Sequence, residues 1–297
     1  MAKLRTDPIA SSDMVEYLDS QSDFAFELRI LEWLTSNGYK CEHSGSYDDP
    51  VTGRPRQFDI RAFRLHGITT LRLAIECKNI GENYPLLISC MPRRGEEAFH
   101  EVAFSNAPSA ELIRERAGWS DAKPNQLFVD TIRPSGNQGI YGVGEPVGKS
   151  CSQVGRTPNG ELSCDDREVF EKWSQAIASA GDLARLAYGD GRLMRRGYAL
   201  SLVLPIVVVP NGRLWVVHFD EAGARVSPPA ATDRCSFFVD RPCPVQDFRP
   251  YTISHLEFVT QDGLAKLLEV ITADSPYGSA AFASRLALQR YPNAARW

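Results

Sequence analysis

Asp59 and the triplet Glu76-Cys77-Lys78 are the residues here whose types and spacing could do chemistry; both lie within RQFDIRAFRLHGITTLRLAIECKN, residues 56–79. Two carboxylates on adjacent strands repel each other unless a cation joins them. Oxygen ligands with retained water are what Mg²⁺ or Mn²⁺ prefers. A lysine two residues after the second acid projects from the same strand face. It can hold a water, help deprotonate it, and offset charge on a phosphate. Those are the parts needed to hydrolyse a phosphodiester.

The flanking residues must supply the scaffold. In the first run Phe58, Ile60 and Ala62 are expected on one face, with Asp59 and Arg61 on the other. In the second, Leu71, Leu73, Ile75 and Cys77 oppose Arg72, Ala74, Glu76 and Lys78. LHGITT between them suits an antiparallel hairpin. Upstream, DFAFELRILEWLTSNG reads as a helix with Phe24, Leu28, Leu31 and Leu34 as its apolar stripe. Ser22 or Asp23 can cap it, and Gly38 can end it in a left-handed turn. Glu27 lies beside that stripe, and a carboxylate at a core edge wants a partner. A short strand is expected at 39–46, a helix at 166–189, and a strand pair, LSLVLPIVVV and RLWVVHF, turning at PNG. The tail alternates strand-like CSFFVD and SHLEFVT with helices near 261–273 and 278–290. Residues 91–165 read as a long irregular insertion with a helical piece at 109–117.

Asp59, the hairpin and Glu76-Cys77-Lys78 together resemble the PD-(D/E)XK nucleases, the restriction-endonuclease-like superfamily. The order of helix, three strands, helix and strand is similar too. The resemblance implies an α/β (α+β) fold, a central mixed β-sheet flanked by helices. It places the core within 1–220, interrupted at about 91–165, with 221–297 as a C-terminal extension packed on it. It implies Asp59 and Glu76 as ligands of Mg²⁺ (or Mn²⁺), with the Cys77 backbone carbonyl as a third. Lys78 would orient the attacking water, and Glu27 would hold a second-shell water or second ion. Phe58 stands where the motif has proline, the stretch before the second helix is long, and Gln175 has Ser179 rather than tyrosine four residues on.

Composition bounds the partners. The 297 residues carry a net charge of -4, but residues 53–94 hold eight Lys or Arg against three acids. That local excess suits a phosphate backbone, with Arg54, Arg56, Arg93 and Arg94 as candidate contacts. DNA is the expected partner; duplex, single-stranded, branched and RNA substrates stay open, and a homodimer is compatible with cutting two strands. Seven cysteines without a C-x-x-C pair, no signal-like start and no membrane-length apolar run suit a cytoplasmic chain. GVGEPVGKS, 142–150, has Val143 where a phosphate loop needs its first glycine, so no nucleotide cofactor is expected. The five histidines lack ligand spacing, although His43 and Asp48-Asp49 stand where they could approach the metal. The expected activity is a metal-dependent nuclease, with restriction or anti-phage defence as an analogy. The rivals are a non-cleaving nucleic-acid-binding or assembly subunit with the same fold, and an interaction protein whose insertion and tail recruit partners.

Overall fold

The computed structural model describes residues 7–20, 22–49, 51–66, 69–106, 111, 127–133, 140–187, 198–244 and 250–272. Its first half comprises α1 (Ser11–Ser20), α2 (Phe24–Ser36), β1 (Lys40–His43), β2 (Ser46–Asp48), β3 (Pro55–Gln57), β4 (Ile60–His66), β5 (Thr69–Cys77), β6 (Leu86–Pro92), β7 (His100–Asn106) and β8 (Leu127–Ile132). Then follow β9 (Pro146–Arg156), β10 (Leu162–Asp165), α3 (Arg167–Leu186), β11 (Tyr198–Val209), β12 (Leu214–His218), β13 (Ala230–Ala231), β14 (Arg234–Cys243), β15 (Tyr251–Thr260) and α4 (Gln261–Thr272). The fold is mixed α/β. One large sheet runs β1-β4-β5-β11-β15-β14-β9-β6-β12-β13, with β7 on β11, β8 on β7 and β10 on β9, while β2 and β3 form a separate hairpin. Among the described residues no helix is long and apolar enough to cross a membrane.

The two-residue period of β5 decides which helix covers which face. Leu71, Leu73, Ile75 and Cys77 join Leu202, Leu204 and Ile206 of β11 in a core closed by Phe26, Ile30 and Leu34 of α2 and Leu264 and Leu267 of α4. Ala74 and Val203 point the other way, onto Ala180, Leu183 and Ala184 of α3. Arg61 of β4 ties α3 to the sheet, donating to Ser179 Oγ at 3.0 Å and Asp182 Oδ2 at 2.8 Å. The phase of α2 differs from the expected stripe. Phe24 and Leu28 are exposed, and Phe26, Glu27, Ile30 and Leu34 are buried. The helix carries two interleaved apolar sets, and packing against β1 and β4 selects the second. Gly38 ends it as expected, at φ +80°.

Three expectations need correction. The described residues of 91–165 are not irregular: β9 pairs with β6 over seven matched positions and β7 pairs with β11, all in the main sheet. The described residues after 220 are not simply an extension, because β15 lies parallel to β11 at the sheet centre and β14 pairs with β15. The turn at Pro210-Asn211-Gly212 does not close a hairpin, since β12 pairs in parallel with β6 rather than with β11. Each miss has one cause. Partners distant in sequence supply the hydrogen bonds, and local pattern does not encode them. The helix expected over 109–117 lies outside the described residues, Glu111 excepted, as does the one near 278–290.

Pro205 sits within the central strand β11, where a missing N–H would normally break a ladder. On one side β11 pairs with β7 only through Tyr198–Ser201 and with β15 only from Ile206 onward. Pro205 falls in the gap. Within it, Val203 N–H donates to Tyr251 Oη at 3.3 Å, and that hydroxyl donates to the Glu101 carbonyl at 2.7 Å. His100, Tyr141 and His255 are buried around the same gap, with the Tyr141 and His255 rings stacked at 3.7 Å. Burial pushes His100 down to about 4, and burial with the nearby Arg93 charge pushes His255 down to about 3.

A depressed histidine favours folding while it stays neutral, and that contribution is lost as pH falls below the ordinary value of 6.5 toward about 4 for His100. Wild type should therefore lose about 2 kcal/mol more stability than His100→Gln between pH 7 and pH 5. Urea denaturation of both proteins at each pH reads this out, and the comparison cancels the titrating groups that His100 does not influence. Parallel pH dependence in the two proteins would refute it.

Candidate active site

Asp59 is placed by the chain just before β4. Ser44 N–H donates to its carbonyl at 2.8 Å, and Phe58 N–H donates to the Gly45 carbonyl at 3.0 Å. A Cβ on Gly45 would meet the buried Phe58 ring at 2.4 Å, so a larger residue there would force that ring to shift. Glu76 and Cys77 end β5, and Lys78 N–H donates to the Val208 carbonyl at 2.9 Å, anchoring the exit on β11. Ile60 faces Ile75 across the β4–β5 ladder, which brings Asp59 beside Glu76. Cys77 N–H donates to Asp59 Oδ2 at 2.8 Å. Its thiol lies in the apolar core and is pushed well up by burial, so Cys77 has only its backbone to offer a ligand.

The carboxylate pair is met by a residue that the motif reading passed over. Lys172 of α3 reaches Asp59 Oδ2 at 2.5 Å and Glu76 Oε2 at 3.6 Å. Burial works against its charge, but the neighbouring Asp59, Glu76 and Asp23 carboxyls together outweigh that and raise its pKa. Glu76 is 1% exposed, and neither of its oxygens has a hydrogen-bond partner among the described residues. Burial, and then the Asp59 charge, push it up to about 9. It is the most polar-starved group of the site, and a further cation beside it would relieve both costs.

Lys78 leans away from the pair. Its ammonium meets Glu168 Oε2 of α3 at 2.8 Å and Asp23 Oδ2 at 3.5 Å. Burial opposes its charge, and these acids more than offset that. Asp23 was expected only as a helix cap, and it makes no side-chain cap bond. It accepts instead from Asn79 N–H at 2.7 Å, holding α2 against the end of β5. Glu27, on the buried face of α2, is 3.2 Å from His43 Nε2 of β1. Burial and then Asp59 raise its pKa, and His43 only partly counters them. The structure thus gathers Glu27, Asp59, Glu76 and Lys78 and adds Asp23, His43, Glu168 and Lys172. The i, i+4 pair Glu168 and Lys172 was the available signal for α3, but that spacing also fits a solvated helix face.

The arginines divide. Arg54 and Arg56 stand on the β2–β3 hairpin, whose Tyr47 donates to the Gln175 carbonyl of α3 at 3.4 Å. Arg54 is exposed, and Arg56 Nε bonds Asp49 Oδ2 at 2.5 Å. Arg93 and Arg94 are not brought to this site. The Arg93 side chain is 1% exposed and donates to Glu145 and the Gly142 carbonyl, both at 2.9 Å. Arg94 pairs with Glu96 and Glu97. The strand they follow, β6, is separated from β5 in the sheet by β11, β15, β14 and β9. In the phosphate-loop-like stretch, Lys149 lies in β9 and pairs with Glu97 at 2.6 Å.

Among the described residues no three His, Cys, Asp or Glu side chains are gathered as a ready metal cage. A pair of carboxylates is nevertheless within what Mg²⁺ uses when substrate phosphate and water complete its shell. In comparisons with known proteins, no family model matches the chain, and neither a curated protein nor a solved structure does.

Removing the Lys172 charge leaves two carboxyl groups facing each other. Lys172→Met should cost about 1–3 kcal/mol in EDTA, held down because Glu76, raised to about 9, is already largely protonated at neutral pH. Millimolar Mg²⁺ should restore part of that loss. Chemical denaturation with and without the ion is the measurement. Equal stability of variant and wild type in EDTA would show that Lys172 does not carry the pair.

Proposed function

We propose that this chain is a metal-dependent nuclease that hydrolyses phosphodiester bonds of DNA, built on a restriction-endonuclease-like core. The observation that carries the reading is the buried Glu76 carboxyl, without a hydrogen-bond partner among the described residues, beside Asp59 at the ends of two paired strands. A group so placed is a cost unless the site is completed by something else. The order α2, β1, β4, β5, α3, β11 around that pair supports the same reading.

Asp59 and Glu76 would hold Mg²⁺ or Mn²⁺, with the Cys77 carbonyl beside them. When bound, the ion would polarise the phosphate and make a coordinated water more acidic. The chain's own residues do the rest. Lys78 stays protonated at neutral pH, so it orients a water and balances phosphate charge rather than accepting a proton. Glu27, raised in pKa and joined to His43, is placed to hold a water in the second shell. Lys172 holds the two carboxyl groups together in the free protein, and with an ion between them its positive charge would be available to balance phosphate charge. Arg54 and Arg56, on the hairpin next to α3, supply backbone contacts.

A second reading has one observation in its favour. Lys172 already provides a positive charge between Asp59 and Glu76. A non-cleaving nucleic-acid-binding subunit would need no more than that.

Plasmid and single-stranded DNA incubated with the purified protein separate the two. Cleavage is expected with Mg²⁺ or Mn²⁺, none with EDTA, and a loss of about a hundredfold or more for Lys78→Ala and Asp59→Ala. Full activity of Asp59→Ala would overturn the site. DNA binding without products, in every metal, would favour the second reading.

A further inference from the structure

Lys172 enters the carboxylate site from α3, and the next residue, Trp173, enters a different space. A cavity of about 460 Å³ lies between α3, the β2–β3 hairpin and β14. Its walls include Phe170, Trp173 and Ile177 of α3 and Phe237 of β14, and Arg56 and Arg241 also line it. The Trp173 ring is 5.3 Å from Phe170 and 4.9 Å from Phe237, and Phe170 is 56% exposed. An exposed aromatic beside a partly buried one leaves a ring-sized apolar surface open to a flat partner.

The charge at this cavity is specific as well. Arg241 is exposed and makes no side-chain hydrogen bond or ion pair among the described residues. It is aimed by a register shift in β14 between Phe238 and Arg241, where Asp240 adopts φ +45°. Bulges of this kind re-aim a side chain next to a site. Arg56 spends its Nε on Asp49, and no partner is seen for its terminal nitrogens among the described residues. Flat apolar walls with guanidinium groups beside them match an aromatic base joined to a phosphate.

Distance favours one occupant. Arg56 is three residues from Asp59, so their Cα atoms are no more than about 11 Å apart. A nucleotide strand advances about 3.4 Å per residue when stacked and further when splayed. We propose that this cavity is a base-binding subsite, taking one unstacked nucleobase of a single-stranded nucleic acid a few nucleotides from the bond at Asp59 and Glu76. Phe170 and Trp173 stack on the base, and Arg241 and Arg56 hold its flanking phosphates. This rests on the nuclease reading only in taking the ligand to be a nucleic-acid strand. Cleavage itself is not required.

A short single-stranded oligonucleotide containing 2-aminopurine, titrated with the full chain in EDTA, tests the assignment. Wild type should bind it with a change in 2-aminopurine emission. Phe170→Ala should abolish that change, and Phe170→Ala and Arg241→Ala should each weaken binding about fivefold or more. Both positions are exposed, so the variants should fold, and Arg225→Ala on the β12–β13 connection is the control. Unaltered affinity and emission in both variants, or no binding by wild type, would overturn the subsite. The same signal in a chain that cleaves nothing would retain the subsite and remove the nuclease reading. Cleavage by wild type with unchanged KM in both variants would do the reverse.

Discussion

Two carboxyl groups side by side at the ends of β4 and β5 are the constraint around which much of the structure is arranged. Asp59 is compensated by a backbone N–H and by Lys172, whereas among the described residues Glu76 has only a cation just beyond hydrogen-bond distance. Lys172 depends on the placement of α3, and α3 is positioned by Arg61 and by small residues against β5 and β11. Asp23 ties α2 to the residue after Lys78, so the first helix is fastened to the same point. A fold arranged only to bury apolar surface would not place these charges at the meeting of two helices and two strands.

The second organising feature is β11. It is apolar on both faces because α2 and α4 cover one and α3 the other. Its partner changes from β7 to β15 midway, which leaves a gap in the ladder. Tyr251 fills the gap with one hydroxyl that both accepts and donates, and Pro205 sits where no donor is needed there. The buried histidines and Tyr141 lie around that gap. Their polarity is thus accounted for by sheet topology, apart from the carboxylate site.

The helix α3 serves two spaces at once. Glu168 and Lys172 face the charged residues after β5 and before β4, and Phe170 and Trp173 face the cavity beside β14. Consecutive helical positions diverge by about 100°, so one short segment can serve an ionic centre and an aromatic slot without their mixing. The β2–β3 hairpin lies against the same helix and brings Arg56 to the cavity while staying covalently close to Asp59.

What the sequence determined by itself is local. The alternation around Asp59 and in residues 69–77 assigned opposite faces to apolar and ionisable residues, because a strand has a period of two. The helices α2, α3 and α4 and the left-handed Gly38 were legible for similar reasons. The placing of Glu27 at a core boundary was legible too, although the apolar stripe beside it was read one face out. Tertiary structure decided the rest. Lys172 is 113 residues from Asp59, and an i, i+4 charge pair on a helix looks alike whether it meets solvent or a buried acid. Arg93 and Arg94 are close to the carboxylates along the chain, yet four strands intervene between β6 and β5 in the sheet. Among the described residues of 91–165, β7 and β9 join the main sheet through β11 and β6, partners distant in sequence, and so their stretch reads as irregular from local pattern alone. Pairing between strands far apart in sequence is settled by the whole sheet closing at once, and no local pattern carries that information.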